Sequence, residues 1–195
     1  FDNEIVEVIK NEISFMVALK HFSILNFIGY SIGNGSFKVY YDLMTRGLLY
    51  NIIHSNGILL SSTSKTIIAL GVAYGMKNIH DNGFIHRNLN SKSIYIDADY
   101  FPRIGNFKYV TKVDNKTNEK KGFDSWTAPE MIYSSNYGQK VDIYSYGILL
   151  WEIFTQYVPF QGSFPLDLLN EVSNNKRPLV PQTCPPKLSM LISNC

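Results

Sequence analysis

The chain is 195 residues long, carries a formal net charge of +2, and is 45% hydrophobic and 14% aromatic. This composition suits one globular domain with a substantial apolar core. Positive and negative residues are interspersed, which excludes the charge pattern typical of nucleic-acid binding. Cys184 and Cys195 are too few, and too poorly spaced, for a disulfide framework or a zinc site. No apolar run reaches the roughly 18 residues that a membrane helix needs.

The amino terminus shows no signal-peptide pattern, and two free thiols suit a reducing compartment. We therefore expect a soluble, cytoplasmic domain without a membrane segment. The chain begins at Phe1 and not at a methionine, so we expect a fragment of a longer protein. A short polar run, "NEKK" at 118–121, is interpreted as a solvated loop.

The first predicted elements are a helix and a hairpin. Apolar residues recur at helical spacing in "NEISFMVALKH", which predicts a helix from about Ile5 to Lys20. Two β-rich runs, "ILNFIGYSI" and "FKVYYDLM", flank "GNG" at 33–35 and predict a hairpin whose turn takes its positive φ angles from Asn34-Gly35. A long helix is then predicted from "STSK" (62–65), which offers capping hydroxyls, through His80.

The second half of the chain is mostly helical. Short strands are predicted at "SIYID" and "FPRIGNF", followed by a loop with polar insertions over 106–128. The segment "GQKVDIYSYGILLWEIFTQ" predicts an apolar helix that is buried on most sides. Two further helices are predicted in "FPLDLLNEVSNN" and "CPPKLSMLISNC". A small β-containing part followed by a helical part indicates the α+β class.

Four motifs occur in order along the chain. "HRNLNSKS" (86–93) resembles the protein-kinase catalytic loop H-R-D-L-x-x-x-N. "NFK" (106–108) stands where a kinase has D-F-G, "APE" (128–130) is unchanged, and "DIYSYGILLWEI" (142–153) resembles the central helix of the C-lobe. Their order and spacing make the chain similar to a protein kinase domain, and most similar to the tyrosine-kinase-like group of serine/threonine kinases.

The resemblance covers essentially the whole chain and implies a two-lobe kinase fold, with a residual N-lobe over 1–44 and a mostly helical C-lobe over 45–195. Glu12 matches the regulatory-helix glutamate, but no glycine-rich loop or strand lysine precedes it. Glu130 of "APE" is expected to pair with an arginine beyond Cys195. The resemblance therefore implies that the domain is truncated at both ends.

The positions where the family carries its reactive groups hold other residues here. Asn88 takes the place of the catalytic aspartate, and Asn90 that of the lysine that steadies the transferring phosphate. Ser93 and Asn106 take the places of the two magnesium-holding residues, and Lys108 that of the D-F-G glycine. We therefore expect no active catalytic residue, no bound metal and no cofactor.

Scaffold residues of the family are retained. By resemblance they are Met16, Phe27, His86 and Phe107 of the regulatory spine, together with Arg87, Glu130 and Asp142. Asp142 matches the central-helix aspartate that holds the catalytic-loop backbone in kinases. His21, His54 and His80 carry no partner pattern, and we expect them to be loop or capping residues.

The nucleotide pocket has two interpretations. By register the hinge is 42–44, where backbone groups of Asp42 and Met44 would meet adenine, with Tyr41 as a bulky gatekeeper. Tyr95 stands where kinases usually place a leucine beneath adenine. Its ring either fills the slot of the base or packs outward with a hydrogen-bonded hydroxyl.

These residues lead to a prediction of function with two alternatives. The leading hypothesis is a catalytically inactive pseudokinase that regulates or scaffolds a partner protein, such as an active kinase. The first alternative is an ATP-dependent serine/threonine protein kinase with low or atypical activity, which would use ATP and magnesium. The second is a truncated product without a stable fold.

Overall fold

The computed structural model describes residues 3–33, 36–55, 57–114 and 122–195, with the backbone alone for 3–8, 165 and 166. In chain order, the helices of this part are α1 (Asn3–Ala18), α2 (Leu49–His54), α3 (Ser62–Asp81), α4 (Glu130–Tyr133), α5 (Lys140–Thr155), α6 (Pro165–Ser173) and α7 (Pro186–Asn194). The strands are β1 (Phe27–Gly33), β2 (Ser36–Tyr41), β3 (Gly47–Leu48), β4 (Phe84–Ile85), β5 (Ile94–Ile96), β6 (Pro102–Ile104) and β7 (Thr111–Lys112). This is an α+β fold, as the sequence predicted, and it fits a partial two-lobe kinase domain.

The strands form three small antiparallel sheets. β1 pairs with β2, β3 and β6 flank β5, and β4 pairs with β7. The first sheet is the predicted hairpin, with a register shift between Phe27 and Gly29. Its predicted turn at Asn34-Gly35 lies outside the described residues, as does the "NEKK" run. Helix α1 begins and ends about two residues before the predicted limits.

The long helix α3 lies close to β6 because two of its residues lack a side chain. A Cβ placed on Gly75 would lie 2.6 Å from Cδ1 of Ile104, and one on Gly71 would lie 2.4 Å from Cγ of Pro102. The helix is capped by Ser61, whose hydroxyl accepts a hydrogen bond from the backbone N–H of Ser64 at 3.0 Å. Close packing of α3 on β6 positions the loop between them, which carries the kinase-like catalytic motif.

The centre of the molecule is α5, which is buried along nearly its whole length, as predicted. Apolar side chains surround it, yet it also carries two buried carboxylates, Asp142 and Glu152. Buried carboxylates require hydrogen-bond donors or cations. Their partners lie on segments that are distant in sequence, so α5 connects the elements around it.

Several short elements were not predicted from the sequence. They are β3, α2, α4, β4 and β7, which pairs with β4 and lies within the predicted loop 106–128. Each spans six residues or fewer, which is too short for a clear period of apolar residues. In the part of the chain that the structure describes, no helix has the combined length and apolar character required to cross a membrane.

Candidate functional site

The loop between β4 and β5 is fixed by the buried carboxylate of Asp142. Its Oδ1 accepts a hydrogen bond from the backbone N–H of Arg87, and its Oδ2 accepts one from that of His86, each at 2.8 Å. Arg87 has a φ of 65°, a left-handed conformation that non-glycine residues rarely adopt. The two hydrogen bonds hold this strained backbone in place from α5.

Two histidines that we expected to be loop or capping residues contact buried carboxylates. Nε2 of His80 lies 2.8 Å from Oδ2 of Asp142, and Nε2 of His54 lies 2.8 Å from Oε1 of Glu152. Both histidines lie in the last turn of a helix, His54 in α2 and His80 in α3. Their carboxylate partners were not predicted. His21 does lie in a loop, where its Nδ1 accepts a hydrogen bond from the backbone N–H of Ser23 at 3.1 Å. Sequence spacing could not reveal the two pairs, because 62 and 98 residues separate their members.

The three substituted positions of the catalytic loop bond to one another and to their own loop. Nδ2 of Asn90 donates to Oδ1 of Asn88 at 3.3 Å, and Oδ1 of Asn90 accepts from the N–H of Lys92 at 2.9 Å. Oγ of Ser93 accepts from the N–H of Asn90 at 3.0 Å and donates to its carbonyl at 2.8 Å. All three side chains are buried. The loop thus uses these polar groups for its own closure.

Asn106 begins the turn at 107–109 in a left-handed conformation, with φ 59° and ψ 59°. Asparagine tolerates this conformation better than most residues. Its side chain is exposed and forms no capping hydrogen bond to the turn. The side chains of Asn88, Asn90 and Ser93 are therefore buried, whereas that of Asn106 is exposed.

Glu12 of α1 is hydrogen-bonded to the same turn. Its Oε1 accepts from the backbone N–H of Phe107 at 3.0 Å. Burial raises the pKa of the Glu12 carboxyl, and the hydrogen bond from Phe107 and the positive charge of Lys108 oppose that shift. The regulatory-helix glutamate therefore has a partner within this chain.

The predicted spine residues lie in one apolar core. The rings of His86 and Phe107 meet edge to face at 5.3 Å, and Met16 and Phe27 belong to the same core. The ring of Phe15 also packs on Phe107, with the centroids 4.6 Å apart. Phe15 was not predicted as part of this group, although its place beside Met16 in an amphipathic helix is a usable signal.

Tyr95 lies against the backbone at the predicted adenine floor. A Cβ placed on Gly105 would lie 2.9 Å from Cε2 of Tyr95, so the ring covers that glycine. Among the described residues, its hydroxyl has no hydrogen-bond partner. Burial raises the pKa of Tyr95, and the nearby Glu12 carboxylate raises it further. Burial, with smaller contributions from Glu12 and Tyr95, raises the pKa of Tyr41 to about 12. The pKa values of both tyrosines are thus raised by burial and by the same carboxylate, Glu12.

Backbone groups of the predicted hinge already bond to the chain itself. The N–H of Asp42 donates to the carbonyl of Asn26 at 3.1 Å, and the carbonyl of Met44 accepts from the N–H of Gly47 at 2.9 Å. The intervening Leu43 is exposed. The hinge backbone is therefore held by hydrogen bonds to the strand entry at Asn26 and to the turn at Gly47.

The second buried carboxylate connects three segments around the same loop. Oε1 of Glu152 accepts from the hydroxyl of Ser91 at 2.7 Å and contacts His54, while its Oε2 accepts from Nε1 of Trp126 at 2.8 Å. Sequence reasoning missed this residue, although a glutamate inside an apolar helix is itself a signal. Glu130, at the start of α4, is exposed, and its expected arginine remains a prediction.

Comparisons with known proteins give matches over nearly the whole chain. A family model described as protein tyrosine and serine/threonine kinase matches residues 2–195. The serine/threonine/tyrosine-protein kinase HT1 of Arabidopsis thaliana is 32% identical over 95% of this chain and 49% of its own length. The serine/threonine-protein kinase STY17 of the same plant is 29% identical over 98% of the chain and 34% of its length. A putative serine/threonine-protein kinase/receptor of Acanthamoeba polyphaga mimivirus is 29% identical over 94% of the chain. There the chain spans 12% of the relative's length.

Proposed function

Because the chain belongs to the protein tyrosine and serine/threonine kinase family, we propose that it is a pseudokinase that transfers no phosphate and regulates or scaffolds a partner protein. The main observation in support is that the side chains of Asn88, Asn90 and Ser93 form hydrogen bonds within their own loop. A positioned general base contributes roughly 10²–10⁴-fold to catalysis. The neutral amide of Asn88 cannot accept a substrate proton at neutral pH, and Asn90 already holds its oxygen.

The donor set at the metal positions does not fit magnesium. Mg²⁺ is a hard cation that binds carboxylate and phosphate oxygens. Ser93 offers a hydroxyl that is already bonded to Asn90, and Asn106 offers a neutral amide. We therefore assign no step of phosphoryl transfer to this chain and propose no resident cofactor.

The contacts of Asp142 and Glu12 support a role in which the domain binds a partner through its folded surface. Asp142 holds the catalytic-loop backbone, and Glu12 holds the turn at Phe107. A surface that is fixed in this way is suited to a protein partner, such as an active kinase. The proposal keeps the division into a residual N-lobe at 1–44 and a C-lobe at 45–195.

The alternative is an ATP-dependent serine/threonine kinase of low or atypical activity, which the names of the relatives favour. Under this alternative, magnesium and ATP together would stabilise the fold. Ligand at about 100 times its dissociation constant contributes roughly 2.7 kcal/mol. A melting shift that requires both ligands would favour the alternative.

The deciding experiment measures phosphotransfer directly. Purified protein is incubated with radiolabelled ATP and magnesium, with and without a generic protein substrate, and the HT1 relative serves as the active control. We expect incorporation no greater than in a sample without protein, because base and metal ligands are absent from their positions. Incorporation above that background, abolished by heating the protein, would contradict the pseudokinase proposal.

A further inference from the structure

A cleft of about 410 Å³ lies between the end of α1, the loop that follows it and β6. Its apolar wall includes Leu19, Ile24 and Leu25, and its cations are Lys20 and Arg103. Pockets of roughly 300–1,000 Å³ with apolar walls and a few polar groups are typical small-molecule sites. The cleft has this size, half of its lining residues are apolar, and none of the substituted catalytic positions lines it.

Among the residues that line the cleft, Arg103 gives the clearest indication of a ligand. It lies on β6, opposite Tyr95 on β5, and it lines the cleft. Its Nε is buried, and it has no acceptor among the residues that the structure describes. A buried donor without an acceptor is destabilising, so an acceptor in the cleft would satisfy it. The planar guanidinium matches a carboxylate, which can accept two parallel hydrogen bonds.

The other charged groups of the cleft favour an anion over a cation. Lys20 is exposed and adds a second positive charge. The one carboxylate in the lining, Asp42, already accepts a hydrogen bond from Nδ2 of Asn26 at 3.3 Å. The lining therefore carries two positive side chains, Lys20 and Arg103, and one carboxylate, Asp42, which already accepts a hydrogen bond. Half of the lining residues are apolar, so an anion with a hydrocarbon part would contact side chains that a small inorganic anion leaves in contact with water.

We propose that this cleft binds an apolar monocarboxylate. Its carboxylate lies on the guanidinium of Arg103 with the ammonium of Lys20 beside it, and its hydrocarbon part packs on Leu19, Ile24 and Leu25. The site is separate from the catalytic loop, so it does not depend on the pseudokinase proposal.

The test uses equilibrium dialysis of the full chain against radiolabelled octanoate, a measurement that tolerates self-association. We expect saturable binding at one site per chain. Arg103→Gln weakens binding about tenfold or more, since hydrogen bonds to charged groups contribute on this scale. Octanol, which has the same chain length without the charge, does not compete at equal concentration.

A matched pair of surface variants tests the proposal independently, in case the Arg103→Gln variant does not fold. Lys20→Glu reverses a charge at the cleft, and Lys38→Glu makes the same change on the exposed side of β2. We expect octanoate binding about fivefold or more weaker for the first and unchanged for the second. The proposal is overturned if octanol competes as well as octanoate, or if Lys20→Glu binds octanoate as the wild type does. Unchanged binding by a folded Arg103→Gln variant would overturn it equally.

Discussion

At the scale of single residues, the backbone of the kinase-like loop is held by hydrogen bonds to Asp142 and by hydrogen bonds within the loop. Arg87 is held in a left-handed conformation by Asp142, which accepts hydrogen bonds from the N–H groups of His86 and of Arg87 itself. Asn88 and Asn90 are buried, and each finds a partner within the loop. Buried polar groups without partners are costly, so the substituted side chains close the loop on itself.

Asp142→Asn should destabilise the fold by roughly 1–3 kcal/mol, because an amide cannot accept from both backbone N–H groups and leaves one unsatisfied. Urea unfolding followed by circular dichroism measures the change. Asp99→Asn is the matched control, since Asp99 is exposed in a turn, and it should change stability by a few tenths of a kcal/mol at most. Equal effects of the two substitutions would show that Asp142 does not hold the loop.

Restoring acids at two positions should not restore activity. In the double variant Asn88→Asp and Asn106→Asp, Asn90 and Ser93 remain in their places and Tyr95 still covers Gly105. When catalytic residues act as one unit, restoring only some of them restores little activity. Adding Ser93→Asn and Tyr95→Leu should first restore magnesium-dependent nucleotide binding, measured by calorimetry. Turnover by the double variant at ordinary kinase rates, roughly 1–100 per second, would refute this prediction.

At the scale of elements, α1 is attached to the turn at 107–109 by a polar contact and an apolar one. The polar contact is Glu12 with the N–H of Phe107, and the apolar one is the ring of Phe15 on the ring of Phe107. The ring of Phe15 also meets that of Phe84 on β4, with the centroids 5.1 Å apart. The helix therefore has an anchor in the described chain that does not need the strand lysine of the family.

Glu12→Gln should stabilise the fold at pH 7, whereas Glu12→Ala should destabilise it by roughly 1 kcal/mol. The glutamine oxygen still accepts from Phe107 and carries no charge, and the alanine variant leaves the N–H unsatisfied. Because the pKa of Glu12 is raised in the folded state, the folded state binds its proton more tightly than the unfolded state does. Wild-type stability then falls as pH rises from about 4.5 through the folded pKa.

The measurement is urea unfolding of wild type and Glu12→Gln at several values between pH 4.5 and 7. The advantage of glutamine should shrink as pH falls, since the wild-type carboxyl becomes protonated. A Glu12→Gln advantage that is constant with pH would contradict the assignment.

At the scale of the whole molecule, the β1–β2 hairpin exposes apolar side chains along one of its strands. Ile28, Tyr30 and Ile32 are 63%, 57% and 66% exposed. Within the described chain, β1 and β2 pair only with each other, which leaves the outer edge of each strand open. Open edges beside apolar side chains promote association between chains.

The isolated chain should therefore self-associate in a concentration-dependent way, and Ile32→Lys should shift it toward monomer. Sedimentation velocity at several concentrations measures both effects. Leu179→Lys serves as the control because Leu179 is 87% exposed but lies far along the chain from the hairpin. A monomeric wild type, or an equal effect of both lysine variants, would exclude the hairpin as the cause.

The sequence by itself determined the family, the fold class and the principal elements. Those features depend on local patterns: ordered motifs, the apolar period of α5 and turn residues beside the hairpin. It also predicts the substituted positions at Asn88, Asn90, Ser93 and Asn106, because motif register is a property of the chain alone. The prediction that these substitutions abolish phosphotransfer stays a prediction.

Only the tertiary structure decided which groups meet. Glu12 and the N–H of Phe107 are 95 residues apart, and His80 and Asp142 are 62 residues apart. Such pairs carry no periodic signal, since their contact arises from how α1, α3 and α5 pack. The direction of the Tyr95 ring was undecided for the same reason. Whether an aromatic side chain turns inward depends on the space beside Gly105, and packing creates that space.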